Sequence, residues 1–211
     1  MNKPLRYHLF WSNASPLVCL SGAALLIMAS DRLAHALIAA GALIWVYCLA
    51  SLIAFAGAKF FPKQGKTIVF SFLSSCFTAF YLLLLWILSP ICAMEMFFII
   101  SLIPIFCIGS DAFKALHTFN REQTFKHSFF EALVLGTLII ILSFIREPLG
   151  FSSLSLPGGA QGTILIFSFD TKSFLPVCLV TTSCGAFLIF GYFLGLYRYF
   201  RAKYAPQEDM E

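Results

Sequence analysis

The stretch LAHALIAAGALIWVYCLASLIAFAGA, from Leu33 to Ala58, decides the fold of this chain. It contains no Asp, Glu, Lys or Arg, and it is longer than the roughly 20 apolar residues that a helix needs to cross a bilayer. Two further segments, Thr67–Met94 and Ser173–Tyr197, also lack all four charged residue types. These three segments predict membrane-spanning helices.

The composition excludes an ordinary soluble domain. Of the 211 residues, 60% are apolar and 11% are charged, and the mean hydropathy is +0.88. Soluble domains carry about one quarter charged residues. The chain has no phosphate-binding loop, dinucleotide fingerprint or His-Glu-x-x-His motif. Nicotinamide or flavin chemistry is therefore expected on partner subunits, and nothing predicts a nucleic-acid partner.

Three shorter apolar blocks complete the predicted architecture: Leu17–Ala29, Met96–Gly109 and Ala132–Ile145. Counting them predicts one all-α transmembrane domain with six crossings. A count of four or five stays open if a short block only enters the membrane. The approximate spans are 15–30, 33–58, 67–89, 91–109, 128–145 and 173–197.

The positions of the basic residues give an independent prediction of topology, because Lys and Arg remain with cytoplasmic loops. With six crossings and a cytoplasmic N-terminus, eleven of the 14 basic residues fall on the inner side. The outer side keeps Arg32, Arg146 and Lys172. A signal peptide is disfavoured, since no small-residue cleavage site follows the first apolar stretch. The sequence therefore predicts a multi-pass protein of the bacterial inner membrane with both termini in the cytoplasm.

Two halves of three crossings each would form inverted repeats, because three is an odd number. The first span of each half is short and contains a helix breaker: Pro16 and Gly22 in the first half, Pro104 and Gly109 in the second. Such interrupted segments indicate a site near the bilayer midplane. An ordinary proline kink in a packed bundle is the alternative.

Four segments together resemble the RnfE/NqrD family, the membrane subunits of Rnf-type and sodium-pumping NADH:quinone reductase complexes. FIREPLGFSSL, residues Phe144–Leu154, is similar to the Arg-Glu-x-x-Gly-x-Gly-x-Leu stretch of that family. The other three are FWSNASPLVCLSG at Phe10–Gly22, SLIPIFCIGSDAF at Ser101–Phe113, and SFLPVCLVTTSCGAFLIFGYFLGLYRYFRAK at Ser173–Lys203. They occur in the family order along the whole chain.

The resemblance implies six crossings in two inverted repeats and a sister subunit of the same fold. It also implies a [2Fe–2S] cluster shared between the two subunits, held by one Cys from each broken helix. In this chain the second-half ligand falls on Cys107. The first-half ligand falls on Ala24, which offers no ligand atom, and Cys19 is a weak substitute five residues earlier. The remaining cysteines are expected to pack as small apolar side chains.

Two carboxylates within the apolar blocks are candidates for an ion path. Glu95 lies at the junction of spans three and four, and Glu131 lies at the start of span five. Carboxylates suit hard cations such as sodium, although both positions also fit a solvated place at the membrane interface. We expect His35 and His127 to be interfacial rather than ligands.

Arg146 and Glu147 are expected to end span five. Two roles are open for them: they pair with each other, or they cap backbone groups. The resemblance makes a structural role the expectation for both.

The sequence and the resemblance predict a membrane subunit that supports transmembrane electron transfer coupled to Na⁺ or H⁺ transport. Its expected partners are the sister subunit and the flavin and iron–sulfur subunits of the complex. A small transporter without redox chemistry and a structural or assembly subunit are the alternatives.

Overall fold

A computed structural model describes residues 27–56, 66–109, 121–168 and 177–204. Residues 27–29 are helical and are followed by a turn at Ser30. The helices and strands then follow in this order: α1 Leu33–Ala56, α2 Lys66–Leu88, α3 Pro90–Ser101, α4 Ile103–Gly109, α5 Arg121–Phe151, β1 Ser153–Pro157, β2 Thr163–Ser168, α6 Cys178–Thr181 and α7 Ser183–Tyr204. The described part of the chain is thus mostly helical, as predicted.

Four segments among the described residues are long and apolar enough to cross a membrane: Leu33–Ile53, Ile68–Leu88, Pro90–Cys107 and Ser128–Phe151. They correspond to the predicted second to fifth spans. Most of the predicted first span, 15–30, lies outside the described residues. The predicted sixth span is represented by α6 and α7. The six-crossing count and the inverted repeat stay predictions.

Helices α1 and α5 run antiparallel and form the centre of the bundle. The backbone N–H of Leu33 donates to Glu147 Oε2 at 2.7 Å, and further along the pair a Cβ on Gly136 would lie 3.2 Å from that of Ala40. Small side chains let helices in a membrane approach closely. The buried face of α1 is accordingly rich in alanine: Ala34, Ala36, Ala39, Ala40, Ala42 and Ala50.

Helices α2 and α3 form a hairpin with Ser89 between them, and α2 also packs against α1. The Tyr81 hydroxyl donates to the carbonyl oxygen of Ile38 at 3.0 Å. The other face of α2 is exposed and apolar, as expected for contact with lipid or with another subunit: Ile68, Phe72, Phe80, Leu83, Trp86, Ile87 and Leu88.

The predicted fourth span is interrupted, which agrees with the expectation from Pro104. Helix α3 ends at Ser101, α4 begins at Ile103, and the N–H of Leu102 bonds back to Ile99 at 3.2 Å. Proline has no N–H and disfavours the helical conformation of the residue before it. The break therefore follows from the local sequence.

Two features differ from the sequence expectation. Helix α5 continues past Arg146 and Glu147 to Phe151, because polar groups of the protein satisfy both side chains inside the bundle. After it, β1 and β2 pair as an antiparallel hairpin around Gly158–Gly162, in the segment between the predicted fifth and sixth spans. The alternating SLSLP before Gly-Gly and the apolar run ILIF after it were the available signal for this hairpin.

Candidate functional site

Asp31, His35 and Glu95 form the first polar cluster, which we call the Asp31 cluster. His35 Nδ1 lies 2.9 Å from Asp31 Oδ1, and His35 Nε2 lies 3.0 Å from Glu95 Oε2. Asp31 and His35 are four residues apart, so one helical turn brings them together. Glu95 comes from α3. The imidazole therefore links the start of α1 to α3.

The two ends of the Asp31 cluster are more accessible than its middle. The side chain of His35 is 9% exposed, whereas those of Asp31 and Glu95 are 37% and 44% exposed. Burial raises the pKa of Asp31, but the hydrogen bond and charge of His35, the Arg32 N–H at 2.7 Å and the charge of Arg146 outweigh it. The pKa of Asp31 therefore lies below its usual value, and the ionised form is favoured.

Arg146 lies beside this cluster and holds the ends of two helical segments. Arg146 as a whole residue is 4% exposed. It donates to the carbonyl oxygens of Ile27 at 3.0 Å, Val180 at 2.8 Å, Thr181 at 2.7 Å and Thr182 at 3.2 Å, and to Ser30 Oγ at 3.2 Å. Carbonyl groups at a helix end lack partners within the helix. Arg146 supplies those partners, which makes the break after α6 stable.

Glu147 performs the opposite capping function, since its carboxylate accepts the N–H of Leu33 at the start of α1. Negative charge is favoured at a helix N-terminus. Of the two roles left open by the sequence, backbone capping is therefore the one confirmed for Arg146 and Glu147.

Tyr47, Cys107 and Glu131 form the second polar cluster, the Cys107 cluster. The exposed fractions of these residues are 3%, 1% and 2%. The side chains of Tyr47 and Cys107 are hydrogen-bonded, and Glu131 lies close enough to Cys107 to interact electrostatically. The three residues belong to α1, α4 and α5, so the helix after the break carries Cys107 into the core.

The same helix, α1, connects the two clusters. His35 and Tyr47 are twelve residues apart, which corresponds to roughly 18 Å along a helix. The space between them is filled by fully buried apolar side chains: Leu43, Val46, Met96, Ile100 and Ile139. The clusters are therefore two separate sites with a closely packed layer between them.

A shared [2Fe–2S] cluster is held by four ligands, normally thiolates, of which the resemblance assigns two to each subunit. Cys107 is enclosed in the chain's own core and bonded to Tyr47, whereas a ligand shared with a sister subunit must reach the surface between them. The cluster stays a prediction, and no electron-transfer step is derived through it.

The structure brings the predicted site residues together in combinations that the sequence did not predict. Glu131 joins Cys107 within the protein interior, while Glu95 belongs to the Asp31 cluster. Ala24, Cys19 and the side chain of His127 lie outside the described residues. Sequence reasoning did not assign a site role to Asp31 or Tyr47. For Asp31 the four-residue spacing to His35 was an available signal, and for Tyr47 there was none.

Comparisons with known proteins agree with this architecture. A search of curated proteins returns no match to the chain. A family model described as "Rnf-Nqr subunit, membrane protein" matches residues 5–194, which is most of the chain. The match covers both polar clusters and the Arg146–Glu147 segment. The chain belongs to the Rnf-Nqr family of membrane subunits.

Proposed function

We propose that this chain is a membrane subunit of an Rnf/Nqr-like complex and contributes an ion path to its redox-driven transport of Na⁺ or H⁺. Family membership supports a role in an ion-translocating electron transport complex. The observation that carries the ion path is Glu131, a carboxylate with 2% exposure inside a candidate membrane span. An ionisable group within a membrane span usually faces a cavity or a partner, and such groups mark ion paths.

The two carboxylates lie at opposite ends of the packed layer, which suits successive stations for a cation. Glu95 is near the start of α3 and Glu131 near the start of the span in α5, and α1 runs between them. A cation at Glu131 or a proton on it would offset the burial of its charge. Movement between the stations requires the packed layer to open, as in alternating access.

The partners in this proposal are a sister membrane subunit and the subunits that carry flavin and iron–sulfur groups. They would supply the electron transfer that drives the ion movement. The chain itself would be inactive alone, and it would lie in the bacterial inner membrane with both termini in the cytoplasm.

Copurification tests the assignment to a complex. The chain is isolated from native membranes in mild detergent, and everything that accompanies it is identified by mass spectrometry. We expect flavin and iron–sulfur subunits and a sister membrane protein. Recovery of the chain alone or as a homo-oligomer would contradict the proposal and favour the small transporter.

Ion transport by the intact complex tests the role of Glu131. In membrane vesicles driven by the electron donor, Glu131→Gln should reduce Na⁺ or H⁺ uptake at least about tenfold, as expected when an interaction of about 1.4 kcal/mol in the rate-limiting step is lost. The matched control is Ser101→Ala, because Ser101 is exposed and its hydroxyl donates to the carbonyl oxygen of Phe97 on the same helix. Unchanged uptake in Glu131→Gln with normal assembly would remove Glu131 from the ion path.

A structural or assembly subunit of the same complex is the second candidate. One observation favours it: the Cys107 thiol is enclosed by the chain itself and bonded to Tyr47. Iron content of the purified complex separates the two roles of Cys107. A loss of iron in Cys107→Ser would support a ligand, and equal iron in wild type and variant would support a structural thiol.

A further inference from the structure

We propose that Asp31, His35 and Glu95 form a proton-binding relay that connects the end of the bundle at Asp31 with a carboxylate inside the span of α3. Proton binding is a property of this chain alone. The use of the relay in ion transport rests on the proposed function, which it deepens by naming the proton as the ion held at Glu95.

The two contacts of His35 determine how many protons the cluster holds. A neutral imidazole has a single N–H and can donate to one carboxylate. His35 nevertheless has a carboxylate oxygen within hydrogen-bond distance of each ring nitrogen, at 2.9 and 3.0 Å. Each of the two contacts needs one proton. The cluster therefore holds two protons, whereas a neutral imidazole between two ionised carboxylates supplies only one. That additional proton is either on the ring or on a carboxyl group.

The geometry allows this proton to move without breaking the hydrogen-bonded chain. A proton that binds Asp31 moves to Nδ1, so that His35 carries a proton on each ring nitrogen and donates to both ionised carboxylates. The Nε2 proton then moves to Glu95. Asp31 is then ionised, Glu95 is protonated, and both contacts keep one proton each. The reverse transfer restores the first state.

Exposure gives the relay an entrance and an exit. The Asp31 side chain is 37% exposed at the end of the bundle, outside the span, and Glu95 is 44% exposed within the segment Pro90–Cys107. His35 between them is 9% exposed. Both carboxylates are therefore open to the surroundings of the chain, while the imidazole that joins them is enclosed.

The charged groups around the relay are already engaged elsewhere. From α5, Arg146 donates to backbone carbonyls and Glu147 accepts the Leu33 N–H. Arg32 lies over the Phe151 ring, with its guanidinium carbon 5.6 Å from the ring centroid. On the neighbouring helices the Tyr81 hydroxyl bonds to Ile38, and Cys92 is buried. His35 is therefore the group through which the two carboxylates exchange a proton.

The same geometry disfavours a metal ion as the occupant. The imidazole ring stands between the two carboxylates and presents one nitrogen to each of them. They cannot approach a common ion without breaking both contacts. A proton is the cation that this arrangement accommodates.

Nitrogen NMR of the purified full chain in lipid nanodiscs tests the relay directly. Histidines are labelled with ¹⁵N, and the His35 signals are assigned by their loss in His35→Gln. At pH 7 we expect His35 to carry protons on both ring nitrogens. In Glu95→Gln the ratio of doubly protonated to neutral His35 should fall at least about fivefold, which is the loss expected for a water-screened charge at this separation.

Asp31→Asn is the second variant and should lower the doubly protonated fraction in the same direction. Ser101→Ala, on α3 but away from the cluster, is the control and should leave it unchanged. His35 signals typical of a neutral ring in the wild type, unaffected by either carboxylate variant, would overturn the relay.

The outcome is separable from that of the proposed function. If the NMR result is as expected but the chain copurifies with no redox subunits, the relay stands and the proposed function fails. If the complex is recovered but His35 is neutral, the proposed function stands and the relay fails. If both stand, Glu95→Gln should also reduce proton uptake by the complex at least about fivefold, the same loss as in the NMR measurement.

Discussion

The Asp31 cluster and the Cys107 cluster contain the same kind of group, a carboxylate on a membrane helix, in opposite surroundings. Glu95 is 44% exposed and lies against an imidazole that in turn contacts Asp31. Glu131 is 2% exposed and lies near a thiol that is bonded to a phenol. The first carboxylate is open to its surroundings and contacts an imidazole, whereas the second is enclosed by protein.

The difference indicates that the two clusters along α1 are suited to different steps of ion movement. A carboxylate that exchanges readily with its surroundings suits the collection or release of an ion. A carboxylate enclosed by protein has to be compensated by a proton, a bound cation or a partner. The two ends of the bundle are thus suited to different steps, and the packed layer between them keeps those steps apart.

Replacement of the Arg146 side chain should cause the largest loss of stability. The loss should arise at the end of the bundle that carries the Asp31 cluster. In Arg146→Met, the carbonyl groups that Arg146 holds at Ile27, Val180 and Thr181 lose their donor within a buried site. We expect a loss of at least about 3 kcal/mol in the free energy of unfolding, because each unsatisfied buried group costs about 1–3 kcal/mol. Thermal or denaturant unfolding of the chain in lipid nanodiscs measures it.

Arg198→Met is the matched control, since Arg198 is an exposed arginine on α7. It should change the unfolding free energy by less than about 0.5 kcal/mol. Equal losses in the two variants would mean that the Asp31 end does not depend on Arg146.

The sequence predicted the helices and the individual site residues better than it predicted which of those residues meet. The charge-free run from Leu33 gave α1, and Pro104 gave the break at Leu102. These predictions succeed because they depend on local properties, the polarity of a segment and the geometry of proline. The same local reasoning ended span five at Arg146, where the structure continues the helix.

What could not be predicted depends on contacts between distant parts of the chain. Arg146 is tolerated inside the bundle because carbonyl groups more than thirty residues away in sequence surround it. Glu95 and His35 are 60 residues apart, and their contact depends on how α1 and α3 are rotated about their axes. Cys107, Glu95 and Glu131 were each identified from the sequence, but no periodicity shows which of them meet.

A larger side chain at Gly136 should show whether the packed layer separates the two clusters. A Cβ there would already lie 3.2 Å from the Cβ of Ala40, so Gly136→Leu must push α5 away from α1. Overpacking of this kind costs about 1–3 kcal/mol. The expected result is a lower unfolding free energy together with altered His35 NMR signals, since both clusters depend on the same helix pair.

Gly191→Leu provides the control, because a Cβ at Gly191 on α7 would meet no described residue within 4 Å beyond its own stretch of helix. It should leave the His35 signals and the unfolding free energy close to those of the wild type. If Gly136→Leu also leaves them unchanged, the layer is not tightly packed and the clusters are not separated by it.

The smallest expected effect is the acid sensitivity of the Asp31 cluster. Because the pKa of Asp31 is lowered in the folded protein, its contribution to stability is present above its unfolded value of about 3.8 and is lost as the pH falls through the lower folded value. The Asp31 side chain is 37% exposed, so screening by water limits this contribution to less than about 1 kcal/mol. Asp31→Asn should therefore be less stable than the wild type at pH 6, and the difference should shrink towards pH 3.

The measurement is the unfolding free energy of the two proteins in nanodiscs at both pH values. Comparing the two proteins at each pH cancels the titration of the groups that they share. A difference that does not depend on pH would show that Asp31 gains nothing from its contact with His35, and the contrast between an ionised and an enclosed end of the bundle would then rest on Glu95 alone.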